Sequence, residues 1–542
     1  MYETNSGCTS RLLSVGAFTL LTVFVAYPTF SVLFTSWLSH GEYTLDNYRT
    51  FLRLPSSAGL FGSSIGVSLG SATCATILGT LLATLVIKTR APFRKMIALA
   101  AVLPIILPGF VTAVAYIFLF GRNGIITYKL LGISWEVYSW KSVFILQCVD
   151  QTTTAFLMIG ASLFMFGSRM EEAARMLGAC EWRILWTITL RLARPMVMAA
   201  FLLNFMHAMG DFGTPLIVGG SFDTLASASY TMLIGRYDLP MAATYNVILL
   251  LISLAVYSWY SRLAQQGRAD ELSWQSDTVG RLNLQGWQAQ ICWFIAFFFF
   301  LFIALLFFSV FLAAFTRQLG SNHSLTIAHF ANIGQRGLSS TINTIIFALT
   351  VSLCTSLLGP LLAYMIVRMN VPGKKIVDIF TTIPFALPGT FVGVGYAIAF
   401  NTKPLLLTGT WFIVVVNLVI RKLPLGLRTC SASLTRLNRS CEEASSILGS
   451  SPFRTAVKIT LPNLKHSMLV SGLYAFVTTL QALGSIIFII TPGTRLLSID
   501  VFEAVVRGEL GVAAAYSIIM LLLGGLGGFL LLSVTSSTKV VS

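Results

Sequence analysis

Glu172-Ala173-Ala174, then Gly178, then Ile188-Thr189-Leu190, is matched further along by Glu443-Ala444-Ser445, then Gly449, then Ile459-Thr460-Leu461-Pro462. Glycine follows glutamate by six residues and isoleucine follows glycine by ten in both, and the copies lie 271 residues apart. A charged stretch repeated in register inside a chain this apolar reads as a docking element used twice.

The surrounding composition says what such an element is attached to. Of 542 residues, 56% are hydrophobic and 10% charged, with a mean hydropathy of +0.81. A soluble domain carries about 25% charged residues, so water is not the main solvent. A helix needs ~20 apolar residues to cross ~30 Å of hydrocarbon. Twelve such runs occur, near 11–37, 63–87, 95–120, 141–165, 195–218, 242–262, 291–314, 338–367, 376–400, 409–427, 468–490 and 513–534. They are continuous and lack period-two alternation, which favours helices over a membrane barrel. The first run is long and lacks an Ala-x-Ala cleavage site, so it reads as a retained anchor.

The net charge of +16 is spent on orientation. Lys88, Arg90, Arg94 and Lys95 crowd one short loop, and Arg368, Lys374 and Lys375 crowd its later counterpart. Short loops rich in Lys and Arg stay in the cytoplasm. Twelve spans then put both termini, 88–95, 166–194, 263–290, 368–375 and 428–467 on that side, with no nucleic-acid partner implied. Eight cysteines show no CxxC spacing, so neither a disulfide framework nor a zinc site is indicated.

The repeat runs well beyond the opening motif. Pro104-Ile105-Ile106-Leu107-Pro108-Gly109 matches Pro384-Phe385-Ala386-Leu387-Pro388-Gly389 at an offset of 280, as Tyr116 matches Tyr396. Arg236 and Tyr245 match Arg507 and Tyr516 at 271. Two halves follow, 1–262 and 291–542, each with six spans and joined by a polar, unpatterned linker at 263–290. An even number of spans makes them a parallel repeat. Proline breaks the helical hydrogen-bond ladder, so each Pro-x-x-x-Pro-Gly predicts a broken span, either a static kink or a feature of a pathway.

Each opening motif predicts helix, glycine turn, helix, displaying charge outward, because Gly178 and Gly449 suit a left-handed helix end. The motif resembles the EAA-xxx-G signature of permease subunits of binding-protein-dependent ABC importers. His207-Ala208-Met209-Gly210-Asp211-Phe212-Gly213-Thr214-Pro215 and Gln481-Ala482-Leu483-Gly484-Ser485 look like the fused ferric-iron-type members. The resemblance implies an all-α polytopic protein of about twelve transmembrane helices, in the type I importer fold, in a bacterial cytoplasmic (inner) membrane. It implies iron(III) import by alternating access, with phosphonate, polyamine or thiamine as alternative cargoes. It makes Glu172, Ala173, Gly178, Glu443, Ala444 and Gly449 contact positions for two copies of an ABC ATPase. The other partner it implies is an extracytoplasmic solute-binding protein. Arg191 stands where the second copy has Pro462, and Ala174 where it has Ser445, so the two sites are similar without being identical.

This chain has no phosphate loop of its own: Gly373-Lys374 is followed by Lys375, and Arg368 stands where the loop's first glycine belongs. ATP and Mg would be used by the partner ATPase, and no cofactor or metal is expected on this chain. Charged groups inside spans are costly and usually face a bundle interior. Asn204, His207 and Asp211 have the spacing of one helix face and, with Gln481 and Ser485, are candidate pathway residues; Asp211 at the outer interface, as a helix cap or an interdomain ion-pair partner, is the alternative. Asp150, Arg421 and Lys422 are further intramembrane charges, and pairing between them is an expectation. A 6+6 ion-coupled secondary transporter also fits the span count, but leaves the twin motifs unexplained.

Overall fold

The fold is known from a computed structural model that describes residues 14–39, 41–89, 93–105, 109–122, 124–133, 135–165, 169–273, 281–318, 322–369, 373–403 and 405–537. Arg90 and Pro108, singled out above, lie outside the described residues, as does part of the linker. The described chain is overwhelmingly helical, with two short hairpins, Leu38–Ser39 with Glu42–Tyr43 and Thr316–Gln318 with Asn322–Leu325.

All twelve apolar runs fall mainly on helices, but not all as simple spans. Among the described residues nine helices are long and apolar enough to cross a membrane, from Ser14–Ser36 to Leu510–Leu530. A tenth candidate is the pair Lys374–Ala386 and Gly389–Ala399, bent by 112° at the second Pro-x-x-x-Pro-Gly. In the first copy one helix ends at Val102, a 3-10 turn covers Leu103–Ile105, and the next helix starts at Gly109. The remaining two runs lie on Trp411–Arg436 and Leu461–Leu480. These are long helices made more polar by Arg421, Lys422, Lys465 and His466. The run expected at 468–490 is helical only to Leu480, and 484–489 is a series of turns.

The chain forms two compact units. The larger comprises Ser39–Ile333 and Val501–Ile518; the smaller comprises Met1–Leu38, Gly334–Asp500 and Ile519–Ser542. These units cut across the halves 1–262 and 291–542 drawn from the repeat. In the smaller unit the helix of Tyr27–Ser36 packs on Gly389–Ala399, and the Tyr396 hydroxyl donates to the Phe24 carbonyl at 2.7 Å. In the larger unit Trp287–Phe315 packs on Gly109–Phe120, and the Ser309 hydroxyl donates to the Ala115 carbonyl at 3.3 Å. Each half's leading helix therefore covers the broken helix belonging to the other half of the chain. An apolar run records that it must be covered, but not by which partner.

Inside each unit the same crossing is built on glycine. A Cβ on Gly79 would lie 2.8 Å from the Phe156 nitrogen, and one on Gly359 would lie 3.0 Å from the Gly426 carbonyl carbon. Gly79 and Gly359 are 280 residues apart, so helices Pro55–Ala83 and Leu338–Val367 approach their partners, Trp140–Met165 and Trp411–Arg436, at matching points. Close packing of this kind, with small residues at the crossing, is how helices associate in lipid. At its two ends the expected linker is helical: the helix Leu239–Ser273 runs well into it, and Trp287 starts the next helix.

Candidate functional site

Both repeated motifs form helix, glycine turn, helix. Arg169–Met176 ends at Gly178 with φ +80°, and Ser440–Ile447 ends at Gly449 with φ +80°. The turn closes with Gly178 N–H donating to the Arg175 carbonyl and Ala179 N–H to that of Ala174. The second copy repeats this with Gly449 to Ser446 and Ser450 to Ser445. These are the paired bonds of a Schellman ending, whose positive φ favours glycine. No atom lies within 4 Å of a Cβ built on either glycine, so backbone conformation rather than space selects the residue.

All six positions assigned to coupling, Glu172, Ala173, Gly178, Glu443, Ala444 and Gly449, are exposed. The tip is not only charged. Met176 and Leu177 are each 88% exposed, and their equivalents Ile447 and Leu448 are 85% and 86% exposed. Each turn thus presents two large apolar side chains beside its glutamate, the makeup of a surface built to be covered.

What fixes each helix is the residue before the motif. The Glu171 carboxylate lies 2.9 Å from the Lys88 ammonium, with side-chain exposures of 4% and 0%, and accepts from the Thr189 hydroxyl at 2.8 Å. In the second copy Glu442 lies 3.2 Å from Arg368, with exposures of 18% and 7%, and accepts from Thr460 at 2.9 Å. Glutamate and threonine recur at an offset of 271 and the cation at 280, so the repeat carries this signal one residue before Glu172 and Glu443. Lys88 ends one candidate span, and Thr189 lies in the helical stretch Glu181–Met209 that forms another. The ion pair and hydrogen bond tie the small helix to both.

The candidate pathway residues are not brought together as one face. Asn204 is fully buried and donates to the Thr76 hydroxyl at 3.4 Å, while His207, one turn on, is exposed. The helix ends at Met209, so Asp211 lies beyond it, and i+7 spacing no longer defines a face. Asp211 accepts from the Thr214 N–H at 3.2 Å and from the Gln147 amide at 3.1 Å, which makes it a cap for the short helix Gly213–Val218. Gln481 is the half-buried residue that ends Leu461–Leu480, and Ser485 is buried in the turns beyond. A Cβ on Gly393 would lie 2.8 Å from the Ser485 carbonyl, so this turn presses on the broken helix Gly389–Ala399. Its equivalent in the larger unit, Gly213–Val218, packs on Gly109–Phe120. Asp150 belongs to the larger unit and Arg421 with Lys422 to the smaller.

A multi-pass helical chain with two such exposed segments has the makeup of a membrane transport component. The chain belongs to the family of binding-protein-dependent transport system inner membrane components, whose family model matches residues 75–268 and 355–536. This is the type I ABC transmembrane fold, and the two matched regions give the duplication independent support. Among particular proteins, the chain is 29% identical over 520 residues to the ferric transport system permease protein FbpB of Actinobacillus pleuropneumoniae. That match spans 93% of this chain and 75% of the relative. It is 31% identical over 498 residues to FbpB 1 of Haemophilus influenzae, spanning 89% and 78%. The molybdenum transport system permease protein ModB of Haemophilus influenzae is 29% identical over 213 residues, 38% of this chain but 93% of ModB. The chain is thus a transport component of an inner membrane, similar to fused ferric-type permeases.

Proposed function

We propose that this chain is the membrane-spanning subunit of an ATP-driven importer for ferric iron. Segments 169–190 and 440–461 lie on the cytoplasmic side and seat in clefts of two ATPase subunits. A solute-binding protein delivers the cargo from outside. The single observation that carries the coupling assignment is the pair of exposed apolar tips, Met176-Leu177 and Ile447-Leu448, each on a helix tied by an ion pair to a candidate span. When ATP draws its two subunits together, each tip moves as a rigid body, and the ion pair passes that motion to the spans. Similarity to FbpB along most of the chain supports iron as cargo.

Reconstitution tests both parts. The chain is placed in liposomes with an ABC ATPase and a solute-binding protein from the same organism, and uptake of ferric iron is compared with that of molybdate, a phosphonate, a polyamine and thiamine. Iron uptake that requires ATP and both partners is the expected result. Uptake of another solute in place of iron would overturn the cargo, and uptake driven by an ion gradient without any ATPase would overturn the coupling role.

A further inference from the structure

The stretch between helices Leu239–Ser273 and Trp287–Phe315 does more than connect. Leu282 is completely buried, forms a parallel bridge with Thr89, and donates its N–H to the Lys88 carbonyl. It joins Ile184 and Leu185 in one apolar cluster, against which Ala174, Ala179, Trp182 and Leu284 pack. The Trp182 indole N–H donates to the Gln285 carbonyl at 3.0 Å. Residues 282–285 thus touch both helices of the first repeated motif and the cation that anchors it.

The second motif is held by other means. Arg368 pairs with Glu442 and also donates to the carbonyls of Leu434 and Leu437, at 3.0 and 2.8 Å. A guanidinium offers five donors in a planar fork, whereas an ammonium offers three from one nitrogen. With Arg368 the second segment is fastened to the end of helix Trp411–Arg436 by a side chain. The first segment has in addition a fastening of another kind, from residues 282–285 of the linker.

We infer that residues 281–285 are a structural strap of the first coupling segment, with Leu282 and Leu284 as its positioning residues. The strap belongs to that segment as much as Glu171 does, and it makes one of two otherwise equivalent sites depend on the connection between the halves. Its consequence for transport rests on the coupling role proposed above; its structural content does not.

The test is amide hydrogen exchange on the purified full-length chain in lipid nanodiscs, with no partner added. Fully burying a leucine shifts a local opening equilibrium by about tenfold or more. The double variant Leu282→Ser/Leu284→Ser is therefore expected to speed exchange across 179–190 by at least about tenfold, with 450–461 unchanged as an internal control. Trp182→Phe keeps the ring but removes the donor, and a smaller acceleration confined to the same residues is expected. Leu282→Met, close in volume, is expected to exchange like the unaltered chain. Unchanged exchange at 179–190, or equal acceleration in both segments, would overturn the strap. Co-purification of the ATPase with the same variants reads the coupling role separately, so failure of one reading is distinguishable from failure of the other.

Discussion

In the segment around Gly178 a buried ammonium, an apolar cluster and a piece of linker hold the small helix in place. In the segment around Gly449 a guanidinium, a pair of hydroxyls and two helix-end carbonyls hold the same helix in the same shape. Ser445 and Thr455 lie 2.9 Å apart, hydroxyl to hydroxyl, where the first copy has Ala174 and Ile184 in an apolar cluster. Arg175 makes a two-bond ion pair with Glu181 at 2.7 and 3.1 Å; the equivalent residues are Ser446 and Pro452. The backbone turn is common to both, while the anchoring chemistry has been exchanged in matched sets. At positions 174/184 and 445/455 both partners change together, because a polar group left alone in a buried site costs more than either complete set.

The largest split between the copies is expected from the acids. Glu171→Gln leaves the Lys88 ammonium buried without its charge partner, and removing one member of a buried pair costs about 3–5 kcal/mol. Glu442→Gln should cost about 1.5–3 kcal/mol, the range for a hydrogen bond to a charged group, because Glu442 and Arg368 are less deeply buried than the first pair. Equilibrium unfolding in detergent measures both, and equal losses would show that burial is not what separates them. Replacing the whole polar set together, Lys88→Met and Glu171→Leu with Thr189→Val, should recover most of the loss, as apolar substitutes for buried pairs do.

A smaller effect attaches to the exchanged hydroxyls. Ser445→Ala strands the Thr455 hydroxyl at a cost of about 1–3 kcal/mol, and adding Thr455→Ile should return most of it. A double variant no more stable than the single would mean that the two positions do not act as a set. The glycines come next, and here the copies should agree. Alanine at position 178 or 449 must take a left-handed conformation, at about 1–2 kcal/mol in either copy, and asparagine should be tolerated better. A large difference between copies would point to a neighbour that the open surroundings of both glycines do not contain. The smallest effect is expected at Arg175→Ala, since a largely exposed ion pair is worth less than about 1 kcal/mol. Its bond to Glu181 and that neighbouring charge push the Arg175 guanidinium pKa upward, so it stays charged at any physiological pH.

Helix positions and the repeat were legible because apolar length and proline leave direct marks in the chain. The broken span at Pro384 to Gly389 was read from two prolines and a glycine. The turn at each motif is legible from a single glycine, and Glu172 and Glu443 are exposed. Other features leave weaker marks. Glu171 and Glu172 are indistinguishable by type, and only the helix rotation sends one inward and the other to the surface. Leu282 and Leu284 leave no mark because two leucines in a polar linker form no helical pattern. Asp211 was placed on a helix face that ends two residues earlier, where Gly210 closes the helix.

From Glu181 the chain continues through a wider turn at Leu185–Thr189 without a break to Met209, 29 residues in all. From Pro452 it runs the same way, through Ala456–Thr460, to Leu480. At 1.5 Å per residue such an arm is about 43 Å long, and a tilt of about 10° at one end displaces the other by about 7 Å. The two arms match in reach though their footings differ, and both stop at a polar residue, Asp211 or Gln481, just past the last turn. Equal levers on unequal fulcrums would deliver the same stroke length with different compliance.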